Sequence, residues 1–85
     1  MINVKEAYNI FTTARKDLTI NTCYEYDSCF VFQAVPHKLA NSKDSDTAFD
    51  SLYFVDKRSG KCGMFKPFDI PAEEYKRGKK VVNFK

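Results

Sequence analysis

Hydrophobic and polar positions along the chain change period several times, and each change marks an element. From Asn3 to Lys16, Val4, Ala7, Tyr8, Phe11 and Ala14 recur at the spacing of one helical stripe. Lys5, Asn9, Thr12, Arg15 and Lys16 fall off that stripe and are expected in solvent. Asn3 can cap the first turn, and Glu6 three residues later completes a capping-box pattern. The two alanines in the stripe predict a helix lying close against a sheet. From Leu18 the period drops to two. Leu18, Ile20, Thr22, Tyr24 and Tyr26 alternate with Thr19, Asn21, Cys23 and Glu25, which predicts a strand with one apolar face. Asp27-Ser28 reads as a turn. In Cys29 to Val35, Phe30, Phe32 and Ala34 form one face, and Cys29, Val31, Gln33 and Val35 the other. A strand apolar on nearly both faces is expected at the centre of a sheet, and Pro36 ends it.

The stretch 37–48, HKLANSKDSDTA, is polar and reads as a surface loop. Phe49 to Asp69 then reads as a second hairpin. Its first strand, Asp50 to Val55, suits a pleated surface. Asp56 to Lys61 is polar and contains Gly60, the residue that takes a left-handed turn position cheaply. Lys61 to Lys66 returns, and Pro67 stops the ladder. A three-residue connection puts Phe54 near Met64 and Tyr53 near Phe65. A slip of one residue exchanges the faces, and the pattern leaves both registers open. Pro71 followed by Ala72-Glu73-Glu74-Tyr75-Lys76-Arg77 predicts a short helix, with acids early and bases late as the helix dipole prefers. Gly78 ends it. Residues 79–85, KKVVNFK, either fray or add as an edge strand. The expected architecture is α+β, one domain over 1–85 in the order α-β-β-β-β-α, with the first helix across one face of a four-stranded antiparallel meander.

Composition sharpens this picture in one respect. The 85 residues include 8 Phe and 5 Tyr, many rings for one helix and a few strands to cover. In the register above, Val31, Val35, Tyr53, Val55 and Phe65 share the sheet face opposite the helix. An apolar patch of that kind is expected to meet a protein partner or a second copy. The competing expectation is that Ile70, Tyr75, Val81 and Phe84 fold over it. The net charge of +3 is uneven: Lys76, Arg77, Lys79, Lys80 and Lys85 crowd the last ten residues, with no acid among them. Lys76, Arg77, Lys79 and Lys80 beside aromatic strands give a second class of reading, single-stranded nucleic-acid binding. The acids Glu25, Asp27, Asp50 and Asp56 flanking those strands weigh against it.

Chemistry-bearing motifs are sparse. The three cysteines, Cys23, Cys29 and Cys62, have no C-x-x-C spacing and are expected reduced in a cytoplasmic setting. A Cys23–Cys29 bridge across a three-residue loop at Glu25 to Asp27 is the alternative. One His and three scattered Cys make a poor zinc set. His37 follows a proline with no Ser or Cys close by, so an enzyme built on His37 or Cys62 is only a residual reading. Asp44, Asp46 and Asp50 lack the glycine and closing glutamate of a calcium loop. Asp50, Asp56 and Asp69 are expected to cap turns or protect sheet edges. No phosphate loop, nucleophile elbow or H-E-x-x-H motif occurs, and no catalytic, cofactor or metal residue is assigned. No apolar run is long enough to span a membrane.

The order Cys23-Tyr24-Glu25-Tyr26-Asp27, Phe30-Val31-Phe32, Pro36, Ala48-Phe49-Asp50, Val55-Asp56-Lys57, Gly60-Lys61 and Phe65-x-Pro67-Phe68-Asp69 resembles small uncharacterised helix-plus-antiparallel-sheet proteins of Gram-positive bacteria and their phages or prophages. The layout is also similar to small immunity proteins and PepSY-like modules. The resemblance implies a non-enzymatic, protein-binding accessory module, cytoplasmic or virion-associated. It supplies no catalytic residue. An immunity-type inhibitor is the other role it implies. The binding surface would be the outer sheet face with the 37–48 loop.

Overall fold

The computed structural model describes residues 1–36, 51–66 and 68–84. The 37–48 loop with His37, Asp44 and Asp46 lies outside the described residues, as do Phe49, Asp50, Pro67 and Lys85. The elements in chain order are α1 (Val4–Ala14), β1 (Leu18–Glu25), β2 (Cys29–Pro36), β3 (Ser51–Asp56), β4 (Cys62–Met64), α2 (Ala72–Lys76) and β5 (Lys79–Val81). The fold is α+β with one antiparallel sheet of five strands, not four, ordered β4-β3-β2-β1-β5. Of the two expectations for residues 79–85, an edge strand is realised at Lys79–Val81, paired along β1. The doubly apolar β2 takes the central place.

Local chemistry sets each boundary. Asn3 Oδ1 accepts the Glu6 N–H at 2.9 Å, and Glu6 Oε1 accepts the Asn3 N–H at 3.3 Å, a closed capping box. The stripe of α1 buries Ala7 and Phe11. Phe11 stacks on Phe32 at 5.4 Å and tilts against Tyr53 at 5.3 Å. Phe84 closes the open side of this core, 6.0 Å from Tyr8 and 6.3 Å from Phe32. Each fully buried ring of this kind contributes about 2–3 kcal/mol of apolar transfer energy. The core therefore sits between α1 and the sheet, with Leu18, Ile20, Cys23, Phe30, Ala34 and Val55 completing it.

Three expectations about register are corrected. In the second hairpin the pairs are Tyr53↔Met64, Phe54↔Gly63 and Val55↔Cys62, one residue from the expected pairing. The cause is the turn. Asp56 Oδ1 accepts the N–H groups of Arg58 and Ser59 at 2.7 and 3.0 Å. Gly60, at φ +72°, donates its N–H to the Asp56 carbonyl. The connection is thus longer by one residue than a three-residue loop. Val31, Val35, Tyr53, Val55 and Phe65 do not share a face: β2–β3 pairing sets Tyr53 and Val55 opposite Phe32 and Phe30, and the turn takes Phe65 away from Tyr53. Tyr53 and Val55 lie under α1, whereas Val31 and Phe65 belong to a second cluster on the opposite face. Val35 is buried, and alternation along β2 puts it on the Val31 side.

β1 departs from simple alternation as well. Its pairing with β2 shifts between Ile20 and Thr22, so Asn21 is the extra residue of a β-bulge. Before the bulge, Leu18 and Ile20 face α1; after it Cys23 does, and Tyr24 and Tyr26 turn to the outer face. The predicted single apolar face is divided between the two sides of the sheet. Finally, Tyr26 donates its N–H to the Cys29 carbonyl around Asp27-Ser28, and Cys23 pairs with Phe32. This tight turn sends Cys23 and Cys29 to opposite faces, and both thiols are free.

Candidate functional site

The outer face of the sheet is concave and rich in aromatic side chains. Pairing aligns Tyr24, Val31 and Phe54 in one row and Thr22, Gln33 and Leu52 in the next. Phe65 donates its N–H to the Leu52 carbonyl, which carries its side chain onto the same face. Tyr26, Cys29, Val31, Phe65 and Ile70 form the buried part of this face, with Tyr24, Leu52 and Phe54 partly covered against them.

Among the described residues the helix that lies over it is short, the five residues of α2. α2 is held at the β1–β2 turn by polar contacts. Ser28 donates from its backbone N–H and its hydroxyl to Glu74 Oε2 at 2.9 and 2.6 Å. Arg77 Nη2 donates to Asp27 Oδ2 at 2.6 Å. These exposed contacts orient the helix more than they stabilise it. The anchoring contact is aromatic: Tyr26 stacks between Phe65 at 6.0 Å and Tyr75 at 5.7 Å. Gly78 passes directly over the Tyr26 ring, so closely that any Cβ there would collide with it. Burial pushes the Tyr26 phenol above its ordinary range.

Beyond this cover a groove of about 550 Å³ remains, lined by Tyr24, Tyr26, Val31, Leu52, Phe65 and Tyr75. It continues past Phe65 into a smaller hollow of about 290 Å³ bounded by Cys29, Phe54, Asp56, Asp69 and Ile70. Phe68 is 94% exposed and Tyr75 46% exposed, and both border a neighbouring apolar depression with Ile70 and Lys76. The groove therefore offers rings and aliphatic walls.

Titratable groups around it serve the fold. Asp56 is held below the usual carboxylate range by the Ser59 and Arg58 N–H groups, and Asp69 accepts the Lys66 N–H at 2.9 Å. Both are the turn caps expected of them. Burial pushes the Cys29 thiol up to about 11 and the Cys23 thiol, on the other face, up to about 12. Thiols so raised are poor nucleophiles. Among the described residues no group of three or more His, Cys, Asp or Glu side chains is placed to hold a metal ion.

The cations of the second reading do not converge. Lys79 pairs opposite Glu25 and Lys80 opposite Tyr24, so strand alternation sends them to opposite sides of the sheet. Arg77 is engaged by Asp27, and Lys76 borders Phe68 and Tyr75. Of the five residues expected on a common binding face, only Val31 and Phe65 line the groove. Tyr24, Tyr26 and Leu52 were not assigned there, and Tyr75 was expected only as a plug. Their signal was the pair of tyrosines bracketing Glu25, combined with a glycine just after the short helix. No family model, no curated protein and no solved structure matches this chain.

Proposed function

We propose that this chain is a non-enzymatic protein-binding module that receives an apolar or aromatic segment of a protein partner on the outer face of its sheet. The observation carrying this reading is the unequal cover of the two faces. Among the described residues, α1 and Phe84 close one, while α2 leaves a groove on the other with Phe68 and Tyr75 exposed beside it. Rings held in place by stacking, such as Tyr26 and Phe65, lose little entropy on contact and suit an anchoring pocket.

A test titrates labelled protein with short peptides carrying a central Trp, Phe or Leu, using a polar peptide of equal length as reference. NMR shifts confined to Tyr24, Val31, Leu52, Phe65 and Tyr75, saturating for the apolar peptides and lost in Leu52→Asp, are the expected result. Equal shifts with the polar peptide, or none with any peptide, reject the proposal. A parallel arm with single-stranded DNA at two salt concentrations separates the nucleic-acid reading, whose binding would strengthen at low salt.

A further inference from the structure

The two edges of the sheet are chemically unlike. β5 carries Lys79 and Lys80, the charges that keep a sheet edge from pairing. β4 is Cys62-Gly63-Met64, with no charge, and Met64 is 64% exposed. From these two edges we propose that the β4 edge pairs with the β4 edge of a second copy of this chain. The shared sheet would run antiparallel across a two-fold axis at Gly63.

The hydrogen-bond phase supports this register. Asp56 donates its N–H to the Lys61 carbonyl, and Phe65 donates to the Leu52 carbonyl. Antiparallel bonds alternate, so Phe54↔Gly63 is a bonded pair, while Val55↔Cys62 and Tyr53↔Met64 are not. The N–H and C=O groups of Cys62 and Met64 therefore point to the open edge. A two-fold at Gly63 sets Cys62 of one copy opposite Met64 of the other, and each such pair exchanges both backbone bonds. The two Gly63 residues then form the close, non-bonded pair, with Cα atoms about 4.5 Å apart; neither brings a side chain of its own, and the Phe54 ring lies over each on the outer face.

The side chains fit the same operator. Val55 and Tyr53, opposite Cys62 and Met64, belong to the α1 side, so Cys62 and Met64 lie on that side too. There a hollow of about 280 Å³ borders the edge, lined by Phe11, Ala14, Tyr53, Cys62 and Met64, with Arg15 at its rim over the Tyr53 ring. Met64 of the second copy falls beside it, so that the two Met64 side chains flank largely apolar walls. The flanking lysines stay apart: Lys61 falls opposite Phe65 of the second copy and Lys66 opposite Gly60. The same operation on β5 would set Lys80 against Lys80, a repulsive pair. That difference selects β4.

Light scattering at high micromolar concentration, together with NMR on a mixture of labelled and unlabelled protein, tests the proposal. Expected are a dimer mass and an inter-copy Hα–Hα contact at Gly63. Met64→Lys should weaken the dimer about tenfold or more with unchanged circular dichroism, while Val82→Lys, at an exposed apolar site elsewhere, should leave it intact. A monomer, a dimer lacking the Gly63 contact, or a dimer indifferent to Met64→Lys overturns it. The peptide titration on the outer face, run on the Met64→Lys variant, reads the groove independently of this edge.

Discussion

The two faces of the sheet are built from the same strands and the same kinds of ring, yet among the described residues one is closed and the other only partly covered. On the α1 side, Ala7, Phe32 and Val55 are 0% exposed and Phe11 1%. On the outer side Val31 and Val35 are as buried, at 1 and 2%, but Tyr24, Leu52 and Phe54 around them are only partly covered. Hydrophobicity does not separate them. The lid does: α1 has 11 residues and an apolar stripe, whereas α2 has 5 and buries none of its own. A helix of that length has little independent stability and stays where tertiary contacts place it. An aromatic surplus in a sequence thus says how much surface needs cover, but not which rings receive it.

The comparison breaks first at its rings. Phe32→Ala should cost about 3–5 kcal/mol in urea denaturation, because its void sits in a closed core. Phe65→Ala, beside an open groove that shares the void, should cost about 2 kcal/mol. Equal losses would mean that the outer cluster is as much a core as the inner one. Next comes the lid. Gly78→Ala forces a Cβ against the Tyr26 ring and should cost about 1–2 kcal/mol. Tyrosine fluorescence should change while the resonances of Phe11 and Phe32 stay in place. If both faces respond, the lid is coupled to the α1 core.

The smallest effect concerns the thiols, one buried on each face. In the native protein Cys23 and Cys29 titrate near 12 and 11, above the ordinary thiol value of 9.0, because burial disfavours the thiolate. A raised native pKa stabilises the fold fully below the unfolded value. That contribution declines as pH rises from about 9 through the native values. Denaturation midpoints should accordingly fall across this alkaline window. At mildly alkaline pH a maleimide should modify the partly exposed Cys62 first. Cys23 and Cys29 should follow only at the rate of opening, with Cys29 faster if the outer face opens more readily.

Much of this architecture was legible in the chain. The α1 stripe with its Asn3–Glu6 cap, the central place of β2, the Asp27-Ser28 turn and the glycine turn at Gly60 rest on near-neighbour chemistry that a pattern displays. The features that placed the groove do not. A bulge at Asn21 leaves no local mark, because alternation reads equally well on either side of it until pairing with β2 fixes the phase. The second hairpin turned on whether Asp56 would cap its own turn, a choice worth one residue of register and a whole face of side chains. Tyr53 and Val55 lie on the α1 side for another reason: β2–β3 pairing sets them opposite Phe32 and Phe30, a register between strands far apart in the chain. Phe84 and Val81 read as plugs for the outer face, but strand pairing of β5 delivers both to the inner one.

β5 also bears on the order in which contacts form and dissolve. The hairpins β1–β2 and β3–β4 join neighbours along the chain, whereas Cys23↔Val81 and Tyr24↔Lys80 join residues from opposite ends of the sequence. Loop entropy is paid before so distant a pairing returns anything. The hairpins can therefore assemble first, and the three-residue β5 is the natural last arrival and first departure. Since Phe84 follows that strand by three residues, release of the segment would uncover the side of the core nearest Tyr8 and Phe32 while the meander persists. The more tightly sealed face thus owes its seal to the segment that costs most to keep in place.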